Sequence, residues 1–203
     1  MGRTLLYIPI IHTMDDMGNL GKSVQRVLLR GMTVKSLRHK MNSIGQIWEE
    51  IERTILDINL DYKTVRLYQD GLPICGREIQ IVEDLALKGS RNHKLLLALM
   101  HRGATLMGTE SAELLTQEYS RVRDAATPHK SFARPRRVED HPVDAQALLV
   151  ARDRFIADRI NHTLLPGETG ILFIGRLHRV EAELDRDIGI LYPVRCLLNV
   201  GGD

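Results

Sequence analysis

The sequence predicts a three-layer α/β fold, a mainly parallel central sheet flanked by helices, and three observations predict it. Short apolar runs rich in β-favouring residues alternate with longer segments of helical period, an order that calls for parallel strands joined by crossovers. Four of these runs stop on polar side chains, at His12, at Gln69 and Asp70, at Thr109 and Glu110, and at His178 after Gly175. Open α/β sheets gather their ligands at such strand ends. No repeat of fixed period is visible, and 203 residues suit a single domain with one core.

Residues 4–11 form the first expected strand, with Pro9 at its end or in a bulge because proline brings no N–H. The polar, Gly-punctuated stretch 12–21 then reads as a connection at a binding edge. Met41, Ile44, Ile47, Trp48, Ile51, Ile55 and Ile58 recur every three or four residues and mark a long amphipathic helix. Residues 65–68 read as the second strand, and Gln69-Asp70-Gly71-Leu72-Pro73 as its turn. Ile79, Val82, Leu85 and Ala86 outline a helix stopping at Gly89. Ser90 opens another, whose segment 95–100 is apolar on every side and is expected to be buried. His93 and His101 in that helix read as packed or surface histidines.

Residues 103–108 resume an extended run, and 109–111 open a helix carrying Leu114, Leu115, Tyr119 and Val122. Residues 127–142, basic and Pro-rich, read as a loop or lid. A helix over 143–165 follows, with Leu148, Phe155, Ile156, Ile160 and Leu164 on one arc and Arg152 and Arg159 inside it. The apolar run before Gly175, a short helix after His178 and a last strand over 188–198 bring the strand total to five or six.

The 28 basic and 26 acidic residues leave a formal charge of +2, which makes no broad field of one sign and demands neither nucleic acid nor an acidic membrane. The N-terminal apolar stretch, broken by Pro9, is too short for a signal sequence or a membrane span, so a cytoplasmic location is expected. Cys75 and Cys196 read as reduced thiols outside any Cys-x-x-Cys. Phosphate loops of the Gly-x-x-x-x-Gly-Lys type, dinucleotide Gly-x-Gly-x-x-Gly turns and Gly-x-Ser-x-Gly elbows are absent.

The candidate residues follow from chemistry and place. Asp16 stands four residues after His12, a spacing that on a helical turn would pair them on a metal and in a loop means little. Asp70 fits both a turn aspartate and a site acid. Glu110, expected at a helix N-terminus, would have its pKa depressed by the dipole and serve as metal ligand or proton acceptor. Arg152 on an apolar face demands a partner, either Asp70 or Glu110 in a structural bridge, or a substrate carboxylate or oxyanion.

Gly175-Arg176-Leu177-His178, after an apolar strand and a helix bearing Arg152-Asp153, resembles the last Gly-x-x-His motif of the TraB and Tiki group, whose relatives include ChaN-like and erythromycin-esterase-like proteins. Pro9-Ile10-Ile11-His12 stands where that group has an early Gly-x-x-His, with proline in place of glycine, and Glu110 or Asp70 is the nearest equivalent of its intermediate acid. The resemblance implies a metal-dependent hydrolase of peptide or ester bonds. His12 and His178, with a carboxylate, would bind manganese, cobalt or zinc, and Glu110 or Asp70 would accept the proton of the attacking water. In a metal-free variant, histidine itself activates water. The expected partner is a small-molecule or peptide substrate, with a homodimer as candidate assembly and neither nucleic acid nor membrane involved. The same pocket in a noncatalytic ligand-binding or regulatory protein is the alternative expectation.

Overall fold

The computed structural model describes residues 2–13, 16, 34–126 and 145–194. Its elements are β1 (Arg3–Ile10), α1 (Val34–Asp57), β2 (Val65–Gln69), α2 (Glu78–Leu87), α3 (Arg91–His101), β3 (Thr105–Met107), α4 (Ala112–Ala126), α5 (Ala145–Thr163), β4 (Thr169–Gly175) and β5 (Ile188–Leu191), with short 3-10 turns at Tyr62–Thr64 and Val180–Glu183. The five strands form one sheet in the order β3-β2-β4-β1-β5, every pairing parallel. The expected α/β architecture is the one observed.

Side-chain alternation builds the three layers. In β1, Leu6, Ile8 and Ile10 face the cluster that holds Trp48, Ile51 and Ile55 of α1, Val82 of α2 and Leu95, Leu96 and Leu99 of α3. Leu5 and Tyr7 face the other side, where Ile156, Ala157, Ile160 and Leu164 from α5 and its end close the second core. In β4, Ile171 and Phe173 go to the first core and Leu172 and Ile174 to the second. The glycine that opens this alternation is fixed by packing, since a Cβ on Gly170 would lie 2.7 Å from Leu5 Cδ1 and 3.3 Å from the Tyr68 ring.

The order of strands also places the site. From β1 the chain steps toward the β3 edge through α1, then through α2 and α3, and from β3 it returns past β2 to β4 through α4 and α5. Crossovers of one hand running in opposite directions lay their helices on opposite faces. The connections leaving β1 and β2 therefore diverge from the one leaving β4, which lies between them, and a crevice opens at those three carboxyl ends.

Several details differ from expectation. Pro9 lies inside β1, paired with Ile174, and is tolerated there because β5 pairs only with Arg3 to Leu6 and leaves Pro9 one neighbouring strand. The last strand ends at Leu191 rather than 198; residues 195–203 lie outside the described residues, as does the basic stretch 127–142. Of the apolar segment in α3, Leu95, Leu96 and Leu99 are fully buried, while Leu97, Ala98 and Met100 are half-buried. Cys75 is exposed and free, and Cys196 lies outside the described residues. Among the described residues no helix is long and apolar enough to cross a membrane.

Phe173, fully buried in the central strand, sets the expected scale of core energetics. Phe173→Ala should cost about 3–5 kcal/mol in urea unfolding, and Leu87→Ala, at an 86% exposed position, should stay within about 0.5 kcal/mol.

Candidate active site

The crevice gathers the polar ends of the strands around one carboxylate. Asp70 is the first residue after β2, and its N–H bonds to Phe173 O, which holds the turn against β4. Its Oδ2 receives His12 Nε2 at 2.9 Å and the Gly175 N–H at 2.9 Å, and His178 Nε2 stands 3.5 Å away. Its Oδ1 accepts from Arg152 Nη2 at 2.8 Å. His12 and His178 thus flank the same oxygen, delivered by the ends of adjacent strands β1 and β4.

Gly175 explains why this motif begins with glycine. A Cβ there would lie 2.9 Å from Asp70 Oδ2 and 3.3 Å from His12 Nε2, in the space the carboxylate and imidazole occupy. Its backbone N–H is also one of the donors to Asp70. Three residues on, the His178 N–H bonds to Gly175 O in a tight turn, which carries the imidazole back over the end of the strand.

A second layer holds these groups. His178 Nδ1 and Asp153 Oδ1 are 2.5 Å apart, and the other oxygen of Asp153 accepts the Arg179 N–H at 2.9 Å. Arg152 donates Nε to Glu110 Oε2 and Nη2 to Glu110 Oε1, both at 2.7 Å, while the Gly71 N–H reaches Glu110 Oε1 at 2.7 Å. Arg152 therefore bridges both acids that the sequence offered as its partners. Its Nε and Nη2 are committed to that bridge.

Asp16 belongs to another group. Its Oδ2 accepts the Thr13 N–H at 2.5 Å and Thr13 Oγ1 at 2.9 Å, and its Oδ1 accepts from Ser90 Oγ, the N-cap of α3. No hydrogen bond joins Asp16 to His12 or His178. Asp16 is engaged with Thr13 and with Ser90 at the start of α3 rather than with His12, so the four-residue spacing does not form the pair that a shared metal would need.

Burial and charge pull in opposite directions across the cluster. Burial alone would raise the Asp70 carboxyl, but His12, His178 and Arg152 hold it well below the usual carboxylate range. Burial lowers both imidazoles, yet the hydrogen bond to Asp70 raises His12, and Asp153 with the charge of Asp70 raises His178, leaving each above its ordinary value. Glu110 reverses the expected sign. It precedes α4 and pairs with Pro73 in an isolated bridge, and burial, with the charge of Asp70 adding, raises its carboxyl despite Arg152. Desolvation outweighs the helix dipole there.

A cavity of about 1170 Å³ lies over the cluster and is lined by His12, Asp70, Arg152 and His178. Glu110 is absent from that lining and 1% exposed. Its expected role as proton acceptor for a substrate gives way to one behind Arg152. Among the described residues, no group of three or more His, Cys, Asp or Glu side chains stands ready-spaced as a metal cage; the imidazoles are spent on Asp70 and Asp153.

Asp153 is the one residue of the cluster that sequence reasoning assigned no role. The signal existed: at about 100° per residue it falls about 40° from Leu149, inside the apolar arc of α5 between Ile160 and Leu164, and an acid there must find a partner.

These shifts set the expected pH dependence of stability. His12 and His178, raised in the folded protein, stabilise it fully below their unfolded pKa of about 6.5 and lose that contribution as pH rises through the folded values. Glu110, also raised, acts in the same direction above about 4.3, while Asp70, held low, stabilises above about 3.9 and loses its contribution as pH falls. Melting temperature should therefore peak between about pH 4 and 6.5 and decline toward pH 9; His12→Asn and His178→Asn should each flatten the alkaline limb, and an unchanged limb in both would contradict the assignment. Comparison of the chain with protein-family models, curated proteins and solved structures finds no match to any of them.

Proposed function

We propose that the protein is a hydrolase of ester or peptide bonds whose proton transfers run through His178 and His12. The observation that carries this reading is the chain Asp153–His178–Asp70–His12, of which His178, Asp70 and His12 line one cavity. Asp153 accepts from His178 Nδ1, which fixes the tautomer and leaves Nε2 of the neutral ring as a base facing the cavity. Asp70 takes the Nε2–H of His12 and keeps that imidazole protonated, as a general acid requires.

The steps balance on these groups. A water O–H proton passes to His178 Nε2 as the water oxygen bonds to the substrate carbonyl carbon. The C–O or C–N bond of the substrate then breaks, and the leaving oxygen or nitrogen takes a proton from His12. The proton on His178 returns to His12 through solvent, which resets both rings. Arg152 lines the same cavity, and its positive charge favours the oxyanion of the tetrahedral intermediate. Asp70 is too acidic to take the proton itself; its part is to position His12 and set its charge.

The same donors favour a metal-loaded form as the second reading. Two imidazole Nε2 atoms face one carboxylate oxygen, and Asp153 backs His178 in the carboxylate–histidine arrangement that supports metal ligands. Asp70, Glu110 and Asp153 carry three carboxyls against the single guanidinium of Arg152, an excess of negative charge that favours a divalent cation between the two rings. His12, His178 and Asp70 would hold manganese, cobalt or zinc, which when bound polarises a carbonyl and lowers the pKa of its water.

The test is hydrolysis of p-nitrophenyl butyrate and of a generic peptide library, with the protein first treated with chelator and then supplied with each of the three metals. His178→Ala and Asp153→Asn should lower kcat by about 10²–10⁴-fold where the imidazole is the base. Activity retained after chelation supports the metal-free form. Activity restored only by metal, with uptake that releases protons and weakens below about pH 6.5, supports the loaded form. No turnover under any condition overturns the hydrolase reading and leaves a ligand-binding or regulatory protein.

A further inference from the structure

Two polar side chains elsewhere on the wall of the same cavity each carry an atom that no described residue pairs with. Gln69, the last residue of β2, is 1% exposed and lines the cavity. Its Nε2 donates to Asp70 O at 2.9 Å, and its Oε1 has no partner among the described residues. Because a backbone carbonyl only accepts, the amide orientation is fixed and the free atom is the oxygen.

His93, on the first turn of α3, is 4% exposed and lines the cavity as well. Ser90 Oγ has a single proton and gives it to the Asp16 carboxylate, which can only accept. The 2.6 Å contact between Ser90 Oγ and His93 Nδ1 is therefore an Nδ1–H donating to Ser90. In the tautomer with Nδ1–H, Nε2 is the acceptor, and no described residue pairs with it. Asp16 and Ser90, which had no place in the proton relay, thereby acquire one: they set the tautomer of His93.

Around these atoms the cavity wall is apolar, from Ile10, Leu72 and Ile81, on the side of the sheet that α1 to α3 cover. Two acceptors on an apolar wall repel a carboxylate or phosphate and accept hydrogen bonds from hydroxyl groups. Leaving a buried acceptor unpaired is costly, and a hydroxyl-bearing ligand recovers that cost where a bare hydrocarbon does not.

We infer that this part of the cavity reads hydroxyl groups on the body of the substrate, with Gln69 Oε1 and His93 Nε2 as the acceptors. The substrate class is an ester or amide of a polyhydroxylated compound with apolar carbon around the hydroxyls. This rests on the cavity being the hydrolase site proposed above, and the two can fail separately.

The probes are glycerol monobutyrate and propyl butyrate, which share an acyl group and differ by two hydroxyls. Wild-type protein should prefer the glycerol ester by about tenfold or more in kcat/KM, and Gln69→Leu and His93→Phe should each bring the ratio toward one. Gln69→Leu leaves the Ser90–His93 contact intact, so loss of preference in both variants is not a folding defect. Equal turnover of the two esters by wild type, or variants that keep the preference, overturns the inference while leaving the hydrolase reading standing. If neither ester is turned over, thermal shift decides: melting raised by glycerol monobutyrate but not by propyl butyrate, and only with both acceptors present, supports the inference without the hydrolase reading, and equal or no shifts overturn it.

Discussion

A carboxylate removed from water must be compensated where it sits, and Asp70 imposes that constraint on this fold. Moving such an ion into the interior costs several kcal/mol even after relaxation, and three donors from three separate parts of the chain meet the cost here, His12 after β1, Arg152 on α5 and Gly175 at the end of β4, with the His178 ring 3.5 Å away. Each of these groups is itself fixed. Glu110 holds Arg152, Asp153 holds His178, and the absence of a side chain on Gly175 leaves room for both Asp70 and His12. Removing the central anion would leave two imidazoles and a guanidinium crowded together without it.

The sheet order makes this convergence possible. Asp70 and the two histidines come from three strands that are neighbours in the sheet, β2, β4 and β1, although β4 is reached only after more than half of the chain has intervened. Reversal of the winding direction around β4 keeps helices from covering their ends, so the same topological fact that brings the charged groups together also leaves a cavity above them. The side facing α1 to α3 contributes apolar wall with two acceptors, and the side facing α5 contributes the arginine and the acid behind His178.

Much of this was legible in the sequence. Periodicity located the strands and helices because each layer buries one face, and a strand that ends on His or Asp advertises the sheet edge. Arg152 was legible for a related reason: a guanidinium on an apolar arc needs an acid, and the two acids nearest in role both bind it. Other features were not. Asp16 looked like a partner for His12 because spacing along a chain does not show that its carboxylate would be taken by Thr13 and Ser90. Glu110 looked ionised and active because its place before α4 was visible, whereas its burial depends on Arg152 and Gly71 arriving from elsewhere. His93 drew only a packing or surface reading and Gln69 only its place at a strand end, since the significance of each lies in one atom that no described residue pairs with.

The central claim, that one carboxylate sets the state of both imidazoles, is tested most directly by titrating His12 and His178 by nitrogen-detected NMR in wild type and in Asp70→Asn. Loss of the charge should lower the pKa of both rings together. A variant in which neither ring moves, or only one does, would contradict a shared oxygen at the centre of the site.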